Sequence, residues 1–526
     1  MNNLTRLVVT FAFIILLVSM VTPAVSSHGF GERYDLPIPL SYFVIGAGMT
    51  VALSFVVIGL FIRSTSSYPD YPKRDLWNST SFRLLAKTTT KIFRVSSVLI
   101  VLIAIFSGLY GSPDPLDNLL PTLFWIIWWI GIGYIVALIG NVWAIANPFL
   151  VIFEWGEHVF GKRASFYKWP EHVDAWPALA LFLLFGWIEN VYPSGSKPFN
   201  LAFMIVLYGS VTLAGMFVFG KHTWLKKADP FSVLFSLFAR FSPTEIRVIN
   251  PVGSSLCQTC TSGCAENSDL PDCVDCYDCW ERAPESQKRF MIRPWSAGLT
   301  RGERVSTALV AFHITALATV TFDGLAETPA WVFVQTAVWP LVDPLPGPAV
   351  ATIETLGIFL VPLIFAGIYV YLCGIVSRLS GNQLPKNDVI RSFVFSLVPI
   401  ALAYNLSHYI SFVLITGQQI VPLVSNPFGF GLGDWAFGQG SATPWDLFGT
   451  SAYVPNIAII DARFAWLFSV VALVVGHIIS VFVAHLISLR RLDSHSLAIK
   501  SQYPMLVLMV FYTSVSLWII AQPIVE

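Results

Sequence analysis

The run Phe464–Ile487, F-A-W-L-F-S-V-V-A-L-V-V-G-H-I-I-S-V-F-V-A-H-L-I, holds 24 consecutive residues with no Asp, Glu, Lys or Arg. A helix on the surface of a soluble domain keeps one polar face, whereas this run is apolar all round. It exceeds the roughly 20 residues that a helix needs to cross a hydrocarbon core of about 30 Å. Arg490 and Arg491 follow it directly. Ten such segments recur, at 41–62, 93–110, 121–139, 176–191, 200–220, 303–322, 350–376, 392–416, 464–487 and 503–521. The chain is 55% hydrophobic and 12% charged, against about 25% charged residues in a soluble domain. These features predict an all-α, polytopic integral membrane protein whose first partner is the lipid bilayer. The net charge is zero, so nothing offers the basic footprint of a nucleic-acid partner. The 18 Trp and 41 Phe suit lipid-facing and interfacial positions.

Residues 1–27 begin with Arg6, continue as an apolar run and end T-P-A-V-S-S. That is the build of a secretory signal peptide, and an uncleaved first helix is the alternative. Orientation follows from the loops, because Lys and Arg concentrate on the cytoplasmic side. With residues 28–40 outside, the basic residues fall at the N-terminus, in the inner loops or at their edges, except Arg33, Lys197 and Arg463. The expected location is the cell membrane, inner or plasma, crossed many times. Residues 28–220 then form a first block of five helices, 221–302 a cytoplasmic loop, and 303–526 a second block of five. Five is odd, so the second block enters in the opposite sense, as in transporters built from inverted repeats.

The cytoplasmic loop carries six of the seven cysteines, in C-Q-T-C-T-S-G-C-A-E-N-S-D-L-P-D-C-V-D-C-Y-D-C, Cys257–Cys279. A C-x2-C turn presents two thiolates to one ion, and a second pair a dozen residues on closes a tetrahedral site. On the reducing side of a membrane, metal is favoured over disulfides. Cys257, Cys260, Cys264, Cys273, Cys276 and Cys279 are therefore candidate ligands. Zinc is the expected ion, with an iron–sulfur cluster as the alternative that the C-x2-C-x2-C at its end leaves open.

Ionisable groups inside spans are functional candidates, because each costs roughly 2.5–3.5 kcal/mol at the bilayer centre. Here they are His313 in A-F-H-I-T-A-L, Asp323 in F-D-G-L-A-E-T-P, His408 in A-Y-N-L-S-H-Y, and His477 and His485 in G-H-I-I-S-V-F-V-A-H. Tyr404 lies four residues before His408, on the same helix face. His408 and His477 sit at similar depths, which predicts one shared cavity with Tyr404. For each histidine the bland reading is a neutral imidazole bonded between helices. In the first block only Glu189, Asn141 and Asn147-Pro148 compare, and Asn147-Pro148 reads as a helix end. The chain contains no H-E-x-x-H, G-x-S-x-G, Walker loop or G-x-G-x-x-G, so no familiar catalytic motif can be assigned.

His28–Leu40, H-G-F-G-E-R-Y-D-L-P-I-P-L, resembles the opening of bacterial membrane proteins of the fenitrothion hydrolase-like family. So do F-D-G-L-A-E-T-P-A-W from Phe322, V-P-I-A-L-A-Y-N-L-S-H-Y from Val398, G-H-I-I-S-V-F-V-A-H from Gly476, and the cysteine run with D-C-W-E-R-A and R-P-W-S-A-G-L. The resemblance implies a multi-spanning protein that hydrolyses hydrophobic organophosphorus esters, a small-molecule partner dissolved in lipid. In that reading His408, His477, Tyr404 and Asp323, with His313 and His485 near by, supply a base or hold a metal that activates water. The alternative is a transporter or redox-linked membrane subunit, in which the same histidines relay protons or bind haem.

Overall fold

In the computed structural model the described residues are 34–63, 71–161, 165–249, 272–301, 305–345, 347–430 and 445–525. The leader expected at 1–27 lies outside them, as do Cys257, Cys260 and Cys264.

Among the described residues the chain is all-α apart from one small sheet. In order, the main helices are α1 (Leu40–Phe61), α2 (Thr80–Tyr110), α3 (Leu119–Leu138), α4 (Pro148–Phe160), α5 (Trp176–Asn190), α6 (Pro198–Phe219) and α7 (Pro230–Ala239). After the sheet come α8 (Thr307–Ala326), α9 (Pro329–Val342), α10 (Ala349–Leu379), α11 (Val398–Ile415), α12 (Ala462–Arg491) and α13 (His495–Ile524). Among the described residues nine helical stretches are long and apolar enough to cross a membrane: α1, α2, α3, α6, α8, α10, Lys386–Ser425 (which contains α11), α12 and α13. The expected tenth, at 176–191, is α5. Its 15 residues rise only about 22 Å at 1.5 Å each, short of the hydrocarbon thickness.

Local chemistry sets the helix ends. Ser79, Asn147, Asp229, Ser306, Thr328 and Asp461 each accept a hydrogen bond from a free N–H of the first turn, the standard use of these side chains. Asn147-Pro148 ends the short helix Val142–Ala146 and also starts α4. The central part of α3, Thr122–Ile132, winds as a π-helix, a form that is rare and concentrates at functional sites.

Helix α12 packs against α11, α13 and α1, and α13 also packs against α1 and α10. Among the described residues the first helix thus sits with the last two, and Tyr34 N donates to Ile524 O at 3.0 Å. Helices α2, α4 and α6 pack together and share an apolar core with the N-terminal end of α3. Helix α8 joins the groups by packing against α5, α10 and α11. The stretch 221–302 opens on a short helix, Lys221–Lys227, and then α7, whose Phe231, Leu234, Phe235 and Phe238 are buried in the largest core. The antiparallel sheet follows, in the order β1 (Arg74–Asp75), β4 (Lys288–Ile292), β2 (Thr244–Val248), β3 (Cys273–Val274).

Candidate functional site

Four elements bring one polar centre together. Asp323, near the C-terminal end of α8, accepts from His408 Nε2 at 2.9 Å and from the Tyr409 hydroxyl at 2.5 Å, both through Oδ2. The Tyr409 oxygen also lies 3.4 Å from Glu189 Oε1 on α5, which accepts the indole N–H of Trp129 on α3 at 2.6 Å. The order of contacts is therefore Glu189, Tyr409, Asp323, His408. Tyr409 has one proton and stands between two carboxylates, so it can serve only one at a time. A cavity of about 40 Å³ lies among Trp129, Glu189, Asp323, Asn405 and Tyr409, room for about three waters at roughly 10–15 Å³ each. Phenol, carboxylates and imidazole form a set through which a proton can pass.

The backbone beside Asp323 is part of the design. A Cβ on Gly324 would stand 2.5 Å from the Tyr404 hydroxyl and 3.5 Å from His408 Nδ1, so only glycine lets α11 approach this closely. Tyr404 stacks on His408 with ring centroids 6.3 Å apart, and its buried hydroxyl has no hydrogen-bond partner. Asp323, His408 and Tyr404 thus come together as the sequence suggests.

The other histidines go elsewhere. His477 donates from Nδ1 to Leu473 O, four residues back, at 2.8 Å, and lies against Tyr512 at 5.8 Å. Among the described residues no hydrogen bond or ring contact joins it to His408, and neither imidazole lines the small cavity. Tyr512 instead meets Thr321 of α8 at 2.5 Å. His313 makes the same bond to Leu309 O and packs on Phe395. In both rings Nε2 is buried without a partner. His485 accepts from Gln502 Nε2 at 3.1 Å and donates to Ile62 O at 2.9 Å, tying α12 and α13 to the end of α1. Tyr409 and Trp129 escaped sequence reasoning, since aromatic residues are ordinary in spans. Glu189 carried a signal as the only charged residue of its segment.

A second site lies on the sheet. The ligand atoms of buried Cys273, Cys276 and Cys279 fall within 4.8 Å of one another and could hold a metal ion. Asp275, between the first two, adopts φ 52° and exchanges bonds with Ile246, donating to its O at 2.9 Å and accepting from its N at 3.2 Å. That pins the knuckle to β2. Asp275 also takes Arg301 Nη2 at 2.6 Å, and the same nitrogen reaches Glu245 Oε2 at 3.0 Å. Glu245 is further bonded to Tyr71, Arg247 and Arg293. Burial pushes its carboxyl up, but the charges of Arg301, Arg293 and Arg247 outweigh that and hold it down at about 2. Arg301 stands six residues before α8, so thiol cluster and polar centre share one backbone connection.

Set against protein-family models, curated proteins and solved structures, the chain matches none.

Proposed function

We propose that this is a proton-handling membrane protein, a transporter or redox-linked subunit, whose working centre is Asp323, His408, Tyr409 and Glu189. The observation that carries the reading is Tyr409, whose hydroxyl bridges two carboxylates while one of them holds an imidazole. Such a string stores a proton and moves it by rotation of one O–H and transfer across hydrogen bonds. Placing it among spans exacts a solvation cost that proton pathways accept. Proteoliposomes under a potassium diffusion potential, with a pH dye inside, test it. Wild-type vesicles should acidify at least ten times faster than Asp323→Asn vesicles, and equal rates reject the reading.

Hydrolysis of a lipid-dissolved ester is the second reading. It is favoured by the Asp323–His408 pair, in which a carboxylate orients an imidazole as a general base, and by the family resemblance. The cavity of about 40 Å³ admits the attacking water but not a triester, so the centre would have to open. Turnover of a p-nitrophenyl phosphotriester that His408→Ala abolishes would favour this second reading.

Zinc is our assignment for Cys273, Cys276 and Cys279, on the cytoplasmic side as the Lys and Arg distribution argues. Zinc–sulfur bonds of about 2.3 Å give tetrahedral edges of about 3.8 Å, inside the 4.8 Å that spans the three thiols. A four-iron cube holds its thiolates on separate irons, farther apart. A zinc site supplies folding energy rather than chemistry. Purified protein should carry zinc and no visible absorption, and Cys273→Ser should lower zinc content and yield together. Labelling of these thiols from outside intact cells would refute the orientation.

A further inference from the structure

Beside the polar centre lies a much larger cavity, of about 590 Å³, bounded by α2, α3, α5 and α6. Its walls are almost wholly apolar, and exposed Phe93, Ile100, Leu184 and Leu207 open it outward between helices. At span depth that opening faces lipid. Pockets of roughly 300–1,000 Å³ accept drug-sized ligands, and this one offers such a ligand little but hydrocarbon contact. The two cavities share a wall. Trp125, Trp128, Phe185 and Phe231 line the large one, and Trp129 and Glu189 line the small one. Trp129 stacks edge-on with Phe185 at 4.5 Å while its N–H caps Glu189 at 2.6 Å. Both Trp128 and Trp129 ride on the π-helical turn of α3. A π-turn that tightens to an α-turn releases a residue and rotates the side chains around it, so Trp129 sits where a small winding change would move it.

We propose that the large cavity binds a single-chain lipid amphiphile taken from the bilayer, and that its one polar end group, a hydrogen-bond donor, replaces the Trp129 indole on Glu189. The inference names a ligand for the centre described above and rests on that reading only for the role of Glu189. The hydrocarbon lining selects the chain. Asp229, on the wall of the large cavity, already takes the Tyr208 hydroxyl at 2.6 Å and Ser232 N at 3.0 Å, so the gated Glu189 selects the head: a donor that displaces the indole keeps its place on Glu189 filled, whereas a head without a donor leaves it empty.

Fluorescence of the full chain in nanodiscs tests this, with octadecanol brominated at mid-chain as probe, since bromine quenches the indoles that line the cavity. Saturable quenching is expected, weakened at least tenfold by Ala104→Phe and by Met204→Trp, which fill the cavity from two different helices. The methyl ether of the same alcohol should bind at least fivefold more weakly. Trp129→Phe should tighten the alcohol and leave the ether unchanged. Quenching that never saturates, or survives both filling variants, or is matched by a brominated phosphatidylcholine, overturns the proposal, and equal affinity for alcohol and ether overturns the head-group contact. Asp323→Asn separates the two readings. Its flux should fall while the alcohol still binds. If its flux equals the wild-type rate and binding holds, only the relay is wrong; if its flux falls but the wild-type protein shows no saturable binding, only the ligand is.

Discussion

Glu245 is completely buried, as is Arg293, while Arg247 and Arg301 are within 1% of it. Three guanidiniums on one carboxylate are stable only while it is ionised. Its pKa falls from 4.5 to about 2 on folding, so its contribution is fully present above pH 4.5 and is lost as pH drops from there toward 2. Glu245→Gln leaves the buried arginines short of their counter-charge and should cost about 3–5 kcal/mol at pH 7. Thermal unfolding in detergent checks both points: the wild type should lose stability between pH 7 and pH 3, and the variant should lose less. At this scale sequence reasoning works by cost. A titratable group in hydrocarbon needs a reason, and that rule finds Asp323, His408 and Glu189. It also finds His313 and His477, which meet the cost locally through a carbonyl four residues back. Nothing in composition separates the two solutions, because the partner of His408 is 85 residues away in the chain.

At the scale of elements, the crossing of α11 and α12 is set by Gly476. A Cβ there would stand 2.3 Å from the Ala403 Cβ and 2.9 Å from Pro399 O, the backbone-close packing that small residues permit between membrane helices. Gly476→Ala should therefore cost about 1–3 kcal/mol as overpacking, read as a lower midpoint in thermal unfolding. Since His408 rides on α11, proton flux should fall with it, whereas Gly367→Ala, where a Cβ meets nothing within 4 Å, should change neither. Hydropathy makes the long helices legible because an apolar run of that length has one stable form in lipid. It leaves α9 as an outer loop and α7 inside a loop, since 14 and 10 residues are too few to register as spans. The π-winding of α3 has no signature in its apolar sequence.

Across the whole molecule, sequence order suggests two consecutive five-helix blocks, and the packing departs from that order. Periodicity reports which face of a helix is apolar, not which helix will cover it, so the partner of α1 is not written in its own residues. Helix α1 buries Ala47, Gly48, Val51, Phe55 and Gly59 against the end of the chain. His485 and His495 reach its last turn through Ile62 O and Gly59 O, at 2.9 and 3.0 Å. Helix α1 is thus covered by helices that lie more than 400 residues further along the chain. This arrangement predicts a specific cross-link. A Cβ on Gly48 would lie 3.7 Å from Ser514 Oγ, the position a cysteine sulfur would take, so cysteines at 48 and 514 would stand side by side, as a disulfide requires. Gly48→Cys combined with Ser514→Cys should form a disulfide under mild oxidation in membranes. After proteolysis between α1 and α2, the N-terminal and C-terminal pieces should stay joined until reduced. Either single variant should give no such species. If the double variant also gives none, while both cysteines remain reactive after denaturation, then α1 does not sit against α13.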